Sequence, residues 1–373
     1  MNVKPIIHIV LGRANPNRLN GVNRVVHNLA EEQHALGWEV SVWGITASYD
    51  KAEEVVRNYP TCWFPDLGYW RMPLELKAAL KATALQSVFH FHGGFVPHFI
   101  LIARYLRSIN RSYVLTPHGT FTQGAMEQNK WVKKIYFRFL ESRLLRKAKS
   151  VQCLGHAEQS DLETLHGKST IKLIPNGQNF DELSCDPPQI PSSEFIIGYC
   201  GRVEERQKGL DILLQAFRFY KEQLGGSGSL HLIGEGPYLQ EMKKLAADLE
   251  LEKYICFWGK KFGEEKIRLL TQMKLFVHSS RNEGLPTAVI EALALGIPCL
   301  VSKATSMDTY VKEARAGWTY EEIDIPRIAR YLKAAEEEFE VGKLKERSLR
   351  AAEMARREFS WTTIAQQTQL LYQ

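Results

Sequence analysis

Short apolar runs alternate with longer segments of helical periodicity along almost the whole 373-residue chain. Each run is rich in Val, Ile and Phe and ends at Gly, Pro or Asn, which is typical of buried strands in a parallel sheet. The first half contains six such runs, at 6–11, 39–44, 87–93, 112–119, 150–155 and 171–177. Because helical segments lie between the runs, the pattern predicts an α/β fold.

A segment without periodicity separates two series of these runs. The sequence "DELSCDPPQIPSSE", at 181–194, brings Pro and Ser together as a linker does. Five further apolar runs follow it: "FIIGYCGR", "SLHLIGEG", "ICFWGK", "LFVHSS" and "IPCLVS". We therefore predict two Rossmann-like, doubly wound parallel-sheet domains, residues 1–183 and 184–360, facing each other across a cleft.

Composition and charge restrict the class of protein. No apolar run approaches the roughly 18 residues that a membrane span needs, and the first residues do not resemble a signal peptide. Six widely spaced cysteines without a C-x-x-C pair favour reduced thiols, so we expect a cytoplasmic protein. Residues 1–185 contain 22 Lys and Arg against 15 Asp and Glu, a charge of +7 that predicts an acidic partner.

Ligands of an open parallel sheet bind in the loops that follow its strands. After the first strand, Gly21 stands at a helix start, where free backbone amides and the helix dipole favour an anion. No G-x-G-x-x-G motif occurs at this turn, which disfavours a nicotinamide dehydrogenase. His118 stands at the carboxyl end of the run at 112–119, where its ring can hydrogen-bond a hydroxyl, although a purely structural role stays open.

Two basic residues follow the first strand of the second half. Arg202 comes directly after the strand, and Lys208 precedes Gly209 at the start of a helix. A planar guanidinium and a compact ammonium together suit a diphosphate, although surface pairs of this kind are common. Their position at the carboxyl end of a strand favours the functional interpretation.

The stretch "SRNEGLPTAVIEALALGIP", at 280–298, contains two acids eight positions apart. Pro286 suits the first turn of a helix, which places Glu283 in the loop before the helix and Glu291 inside it. A carboxylate accepts two hydrogen bonds from a vicinal diol, so one acid could hold a ribose and the other a hexose. Backbone amides at the helix start favour a diphosphate between the two sugars. The pattern therefore predicts a nucleotide-sugar site.

The motifs "NGVNR", "PHG", "IPNG", "GRVEERQKGLD", "LIGEGP" and "NEGLPTAVIEALALGIP" together resemble those of family-four retaining glycosyltransferases with the GT-B fold. The resemblance implies transfer of a sugar from a nucleotide donor, UDP-glucose being the best candidate, with the anomeric configuration retained. Loops 234–237 and 259–261 would hold the base. The resemblance implies no cofactor and no metal, and the chain contains no D-x-D motif.

The resemblance also implies roles for individual residues. His118 would line the reaction centre, and Glu283 would contact the hydroxyls of the donor sugar there. Glu291 would bind the ribose, whereas Arg202 and Lys208 would bind the diphosphate. Further contacts with the donor would come from Gly21, Gly284, Leu285, Pro286 and Thr287.

One departure from the usual family pattern concerns the diphosphate site. The spacing between Arg202 and Lys208 is one residue longer than a common form, so Arg206 stays a rival to Lys208. The last segment, 361–373, reads as a helix, and the resemblance implies that it packs back on the first domain.

The segment "KWVKKIYFRFLESRLLRKAK", at 130–149, contains eight Lys and Arg against one Glu, interleaved with aromatic residues. It suits a surface helix that lies on anionic lipid at the inner face of the plasma membrane. A partly buried amphipathic helix with a solvated basic face explains the composition equally well. No base-reading motif accompanies the charge, so we do not expect nucleic acid to bind. The predicted partners are a nucleotide-sugar donor and a saccharide or lipid-linked acceptor of envelope or exopolysaccharide synthesis.

Other classes of protein could use some of these residues. A glycosidase would use two acids but would give no role to Arg202 and Lys208. A nucleotide-sugar epimerase of similar fold and a non-catalytic nucleotide-sugar binding protein both stay open.

In "HFHGG", we expect His90 and His92 to point to opposite faces of a strand and not to share a metal. We interpret "YPTCWFPDLGYW", at 59–70, as an ordered packing loop.

Overall fold

The computed structural model describes residues 4–15, 21–48, 55–121, 126, 130–166, 171–180, 183, 194–204, 208–281, 283 and 285–373. The chain forms two compact units, residues 1–177 with 361–373, and residues 178–360. The division falls between Gly177 and Gln178, a few residues before the expected boundary after residue 183. Most of the Pro- and Ser-rich segment 181–194 lies outside the described residues.

The described residues of the first unit build one seven-stranded sheet of parallel strands, in the order β3-β2-β1-β4-β5-β6-β7. The strands are β1 (Ile6–Leu11), β2 (Val40–Thr46), β3 (Thr61–Pro65), β4 (Val88–His92), β5 (Tyr113–Thr116), β6 (Ser150–Cys153) and β7 (Ile171–Leu173). The helices are α1 (Gly21–Ala35), α2 (Leu74–Ala82), α3 (Pro97–Ser108), α4 (Lys130–Tyr136), α5 (Ser142–Lys147) and α6 (His156–His166). A π-helical turn, Phe137–Glu141, joins α4 to α5.

Both faces of this sheet are covered, because alternate side chains of each strand enter different cores. In β1, Ile7 and Ile9 belong to one core, and Ile6 and Val10 belong to the other. This arrangement explains why the strands appear in the sequence as continuous apolar runs. The strand β5 ends at Thr116, so His118 lies in the loop that follows it rather than in the strand.

The segment 59–70 contains a strand that the sequence analysis interpreted as a loop. Residues Thr61–Pro65 form β3, which lies at the edge of the sheet and pairs with β2. Of its five residues, Phe64 alone is fully buried. A strand with this exposure does not require an apolar run, so the periodicity did not reveal it.

The second unit contains, within its described residues, a six-stranded parallel sheet in the order β10-β9-β8-β11-β12-β13. The strands are β8 (Ile196–Cys200), β9 (Ser229–Ile233), β10 (Ile255–Gly259), β11 (Leu275–His278), β12 (Cys299–Ser302) and β13 (Gly317–Tyr320). The helices are α7 (Leu210–Glu222), α8 (Leu239–Asp248), α9 (Gly263–Leu270), α10 (Thr287–Ala294), α11 (Asp308–Glu313), α12 (Ile325–Glu340) and α13 (Leu344–Phe359). Short 3₁₀ turns occur at Glu252–Tyr254 and Lys303–Thr305.

The last helix, α14 (Trp361–Tyr372), belongs to the first unit although it follows the second unit in the chain. Its residues Ile364, Leu371 and Tyr372 are buried in the core that covers one face of the first sheet. The ring of Trp361 lies so close to Gly177 that a Cβ there would be 2.4 Å from it. Across the described part of the chain, no helix combines the length and hydrophobicity required to cross a membrane.

Candidate active site

The loop after β5 is fixed by a buried glutamate from α6. The backbone amide of Gly119 donates to Oε1 of Glu158 at 2.6 Å, and the amide of Leu154 donates to Oε2 at 2.8 Å. His118 between Pro117 and Gly119 has a φ of 54°, a conformation that non-glycine residues seldom adopt. Burial raises the pKa of Glu158, while the two amides oppose the shift. Glu158 was not predicted as a site residue, because no local sequence pattern links it to the loop that it holds.

His118 is a half-buried, neutral histidine. Its Nε2 lies 3.1 Å from Nδ1 of His92, a residue at the end of β4. Burial lowers the pKa of His118 to about 4, so the ring carries no charge near neutral pH. A neutral imidazole has one donor and one acceptor nitrogen, which suits contact with a hydroxyl better than contact with an anion.

His8, His90 and His92 lie together on one face of the first sheet. The ring centroids of His90 and His92 are 4.1 Å apart, and Nδ1 of His8 is 2.8 Å from Nε2 of His92. The expectation that His90 and His92 point to opposite faces is wrong, because positions i and i+2 of a strand share a face. One ligand nitrogen from each ring lies within 4.8 Å of the others, which would suit a metal. Both nitrogens of every ring nevertheless hydrogen-bond to protein groups.

We expect the first unit to lose stability as the pH falls from 7 to 5. Burial lowers the pKa of His8 to about 4, so the folded state keeps the ring neutral while the unfolded chain binds a proton at its ordinary pKa of 6.5. The contribution is complete above pH 6.5 and declines towards pH 4, by about 2 kcal/mol at pH 5 for this one ring. Thermal unfolding at both pH values measures it.

The control for this pH dependence is a surface histidine. His8→Gln should reduce the difference in melting temperature between pH 7 and pH 5, whereas His34→Gln, at an exposed position of α1, should leave it unchanged. The same pH dependence in wild type and His8→Gln would contradict the assignment.

Gly21 is the first residue of α1 and is exposed, with no atom within 4 Å of the place a Cβ would occupy. The buried Asn23, two residues further on, holds the loop after β1, because its Oδ1 accepts a hydrogen bond from the amide of Ala14 at 2.8 Å. A Cβ at Gly12 would lie 2.9 Å from the same oxygen. The start of α1 is therefore accessible at Gly21, and the Asn23 side chain fixes the preceding loop by its hydrogen bond.

In the second unit, Glu283 follows β11 and is held by two partners. Its Oε1 lies 2.5 Å from Nζ of Lys208, and its Oε2 lies 2.5 Å from Nε2 of His278. Burial opposes the charge, but the hydrogen bond from His278 and the ammonium of Lys208 lower the pKa of Glu283 to about 2. Glu283 is therefore a fixed carboxylate at neutral pH, able to accept hydrogen bonds and unsuited to donate a proton.

His278 is the partner of Glu283 that the sequence analysis missed. It is the last residue of β11, and its ring lies parallel to that of Tyr199 with the centroids 5.8 Å apart. In the sequence it appears only as part of an apolar run. Its role depends on the turn that brings Glu283 back towards the end of the strand, which the run itself does not predict.

Two contacts fix the loop of Glu283 against the start of α7. The hydroxyl of Ser279 donates to the carbonyl oxygen of Gly209 at 2.6 Å, and Arg281 forms a bidentate pair with Asp211 at 2.8 and 2.7 Å. Gly209 has a φ of 64°, and a Cβ there would lie 1.9 Å from the carbonyl oxygen of Ser279. The close approach of the two loops explains why Lys208 reaches Glu283.

A cavity of about 760 Å³ opens beyond the carboxyl ends of the strands in the second unit. Arg202, Thr287 and Glu291 line it. Nζ of Lys266 lies 2.9 Å from both carboxylate oxygens of Glu291, so this acid too is held in place. The two loops expected to hold a base contribute Gly234, Glu235, Gly236, Lys260 and Lys261 to the wall.

The helix α10 starts beside this cavity. Pro286 is its buried N-cap, and Leu285 packs against the core below. The amides of Thr287 and Ala288 have no acceptor within the helix, and both residues line the cavity. Such a helix start attracts an anion. Two predicted positions, Gly284 and the alternative diphosphate ligand Arg206, lie outside the described residues.

The second unit thus places the predicted donor residues in two groups. Arg202, Thr287 and Glu291 share the cavity, whereas Lys208 and Glu283 form an ion pair. The guanidinium of Arg202 is largely exposed and lies 2.9 Å from Glu204. His118 and Gly21 belong to the first unit, where each follows the carboxyl end of a strand.

Two parallel-sheet units, with a cavity that charged side chains help to line beyond the strands of the second, define an α/β protein of the GT-B class. Two family models match consecutive parts of the chain, "Glycosyltransferase Family 4" at residues 19–182 and "Glycosyl transferases group 1" at residues 181–355. The chain therefore belongs to the group 1, family 4 glycosyltransferases, as the motifs predicted.

Curated relatives match parts of the chain. It is 27% identical over 173 residues to the putative colanic acid biosynthesis glycosyltransferase WcaL of Escherichia coli, covering 45% of this chain and 42% of the relative. It is 25% identical over 228 residues to the UDP-Gal:alpha-D-GlcNAc-diphosphoundecaprenol alpha-1,3-galactosyltransferase of Escherichia coli, covering 57% of each. The matches thus span about half the length of these relatives.

A solved structure matches over the whole chain. Anabaena Alr3699/HepE in complex with UDP has a TM-score of 0.72 and 18% sequence identity, covering 97% of this chain and 98% of that chain. Another structure of that protein contains UDP-glucose. The similarity shows a shared GT-B fold.

Proposed function

We propose that the protein transfers a hexose from a nucleoside-diphosphate sugar, UDP-glucose being the best candidate, to a saccharide or lipid-linked acceptor in envelope or exopolysaccharide synthesis. The observation that carries the proposal is the cavity of the second unit, in which Arg202, the start of α10 and Glu291 meet. These groups match a diphosphate and a ribose in chemistry. The proposed reaction retains the anomeric configuration.

The fixed acids support separate roles at the two sugars of the donor. Glu291, held by Lys266, presents a carboxylate inside the cavity, and we assign it to the ribose hydroxyls. Glu283, held by Lys208 and His278, lies four residues before Thr287, and we assign it to the hydroxyls of the transferred sugar. Gly284, Leu285, Pro286 and Gly21 remain proposed backbone contacts with the donor.

The charges support a mechanism in which cations stabilise the leaving group. Breaking the bond between sugar and phosphate builds negative charge on the diphosphate and oxocarbenium character on the sugar. The negative charge on the diphosphate would be stabilised by Arg202, Lys208 and the amides at the start of α10. The ionised Glu283 would face the positive charge that develops on the sugar. Since these groups already supply positive charge at the phosphate, the proposal requires no metal ion or cofactor. His118 would hydrogen-bond a sugar hydroxyl near the reacting carbon.

The comparisons support the choice of donor and acceptor. HepE structures contain UDP and UDP-glucose. The galactosyltransferase of Escherichia coli described above has a diphosphoundecaprenol acceptor in its name. A lipid-linked acceptor would place the enzyme at a membrane surface. The segment 130–149 has the chemistry for such contact.

This segment is anchored on one side and exposed on the other. Phe137, Leu144 and Leu145 are buried in the core of the first unit. Four apolar side chains of the same segment are 58 to 79% exposed: Trp131, Val132, Ile135 and Phe139. Exposed basic residues accompany them: Lys134, Arg138, Arg143, Arg146, Lys147 and Lys149. Apolar side chains beside cations favour insertion among anionic headgroups.

We expect the protein to bind vesicles that contain phosphatidylglycerol and not vesicles of phosphatidylcholine alone. The double variant Trp131→Ser/Phe139→Ser should weaken binding at least about tenfold, because it removes two apolar side chains whose transfer from water into the lipid would stabilise the bound state. Leu85→Ser, at a position 83% exposed in the same unit, is the matched control. Vesicle sedimentation measures both. Equal binding by the double variant and the control would contradict membrane contact through 130–149.

Calorimetric titration with a panel of nucleotides and nucleotide sugars, in the presence of a chelator, tests the proposed function. We expect one nucleoside diphosphate and its sugar to bind tightly, and Arg202→Ala to abolish the binding. Arg218→Ala, which changes a half-buried residue that does not line the cavity, should preserve it. Nucleoside diphosphate released only when acceptor is added would separate a transferase from an epimerase or a binding protein. No binding across the panel would refute the proposal.

A further inference from the structure

The histidines on one face of the first sheet form a hydrogen-bonded chain whose direction can be deduced. The chain runs from Gln33 in α1 through His8 and His92 to His118. Gln33, His8 and His92 are buried, and only His118 is partly exposed. The proton positions follow from the groups at the buried end.

The helix α14 fixes the orientation of the Gln33 amide. The hydroxyl of Thr368 donates to the carbonyl oxygen of Ala365 at 2.6 Å, so it must accept from Nε2 of Gln33 at 3.0 Å. The carbonyl oxygen of Gln33 therefore faces Nε2 of His8, at 2.8 Å. An amide oxygen only accepts, and consequently Nε2 of His8 carries a proton.

Each following ring is then determined in turn, because burial keeps the three imidazoles neutral with one proton each. Nδ1 of His8 is an acceptor, so Nε2 of His92 donates to it at 2.8 Å. Nδ1 of His92 is then an acceptor, so Nε2 of His118 donates to it at 3.1 Å. Nδ1 of His118 is left with a lone pair, and no described residue hydrogen-bonds to it.

The neighbouring His90 belongs to a second series of hydrogen bonds, a branch in which the donors and acceptors can also be assigned. Thr116 donates its hydroxyl proton to Gln152 at 2.7 Å, so it accepts from Nε2 of His90 at 2.6 Å. Nδ1 of His90 then accepts from the hydroxyl of Tyr372 at 2.9 Å. Every donor of this branch meets an acceptor without a metal ion, although nitrogens of His8, His90 and His92 are close enough to share one.

We propose that Gln33, His8 and His92 are positioning residues that hold His118 in the Nε2–H tautomer, so that its Nδ1 accepts a hydrogen bond from a sugar hydroxyl. A lone pair at this position repels phosphate and carboxylate oxygens and selects a hydrogen-bond donor such as a hydroxyl. The ligand half of the proposal rests on the proposed function. The tautomer half depends only on the first unit.

Imidazole ¹⁵N spectra of the labelled full-length protein test the tautomer directly. The His118 resonances, assigned by comparison with His118→Ala, should show a protonated Nε2 and an unprotonated Nδ1 in the absence of ligand. A protonated Nδ1 would overturn the proposal, and so would zinc binding that shifts the His8 and His92 resonances at one equivalent of ZnCl₂.

A pair of variants at His92 tests the relay. His92→Asn places a carbonyl oxygen near the former Nδ1 and should preserve the His118 tautomer. His92→Leu removes the acceptor and should give a mixture of tautomers. With the nucleotide sugar that the enzyme turns over, His92→Leu should lower kcat/KM about tenfold, as expected for one lost hydrogen bond, and His92→Asn should restore it. The double variant His92→Leu/His118→Ala should be no worse than His118→Ala alone.

Different results would contradict the tautomer of His118 and its assignment to a sugar hydroxyl. An Nε2–H tautomer combined with unchanged kcat/KM in both His92→Leu and His118→Ala would overturn the sugar-hydroxyl assignment. If no nucleotide sugar binds or turns over, the proposed function fails, while the ¹⁵N spectra still decide the relay. Should His92→Leu not fold, the wild-type tautomer alone supports or overturns it.

Discussion

Replacing Glu283 with Gln is expected to lower kcat about 100- to 1,000-fold while changing KM for the nucleotide sugar only a few fold. The reason is the fixed negative charge of Glu283, which Lys208 and His278 hold in one orientation. A group that faces positive charge developing on the sugar contributes mainly in the transition state. Initial rates of nucleoside diphosphate release at several donor concentrations separate kcat from KM.

Glu222→Gln is the matched control for this variant, because Glu222 is exposed in the same unit and pairs with Arg218 on the surface of α7. It should retain wild-type kinetics. Circular dichroism and thermal unfolding establish that Glu283→Gln is folded. A kcat within threefold of wild type would remove Glu283 from the reaction centre.

Glu291→Ala should instead weaken binding of the free nucleoside diphosphate, raising Kd about 10- to 100-fold. The estimate corresponds to losing hydrogen bonds between a charged group and the ribose hydroxyls. Both carboxylate oxygens of Glu291 accept hydrogen bonds from Lys266, and these bonds would orient the carboxylate for the ribose. Calorimetry with UDP measures the change.

Glu346→Ala, at an exposed position of α13, controls for the loss of one acid from the second unit. It should bind UDP as tightly as wild type does. A 2′,3′-dideoxy nucleotide should bind Glu291→Ala and wild type equally, because it lacks the hydroxyls that Glu291 would hold. An unchanged Kd for UDP in Glu291→Ala would show that the acid serves Lys266 and not the nucleotide.

Local sequence patterns predicted the architecture, and they selected candidate site residues whose roles stay predictions. The alternation of apolar runs with helices correctly predicted two parallel sheets, because central strands are buried on both faces. It missed β3 and β13, which lie at sheet edges and contain exposed or half-buried side chains. The first strand, at 6–11, was predicted with its observed bounds.

The side-chain partners of the candidate site residues could not be predicted from the sequence. Glu283 and Glu291 occur in one conspicuous motif, but Lys208 and Lys266 reach them from segments 75 and 25 residues away. Glu158 lies 39 residues after the glycine amide that it binds. Such pairs depend on the order of the strands in the sheet, which local periodicity does not encode.

The histidines illustrate a different failure. His90 and His92 were assigned to opposite faces although two-residue spacing places them on the same one. With the correct spacing, the sequence would have indicated a polar pair on one face of β4. It would still have given no sign of His8 or Gln33, which reach the pair from β1 and α1.

The position of α14 has a consequence for how the chain acquires its structure during synthesis. Thr368 and Tyr372 supply partners for Gln33 and His90, which are made more than 280 residues earlier. While a ribosome is still translating the second unit, these buried amide and imidazole groups have no such partners. The first unit therefore reaches its final hydrogen bonding after the second unit has been made, and a nascent chain stalled at Ser360 should remain more open to proteases in its first 177 residues than the released protein.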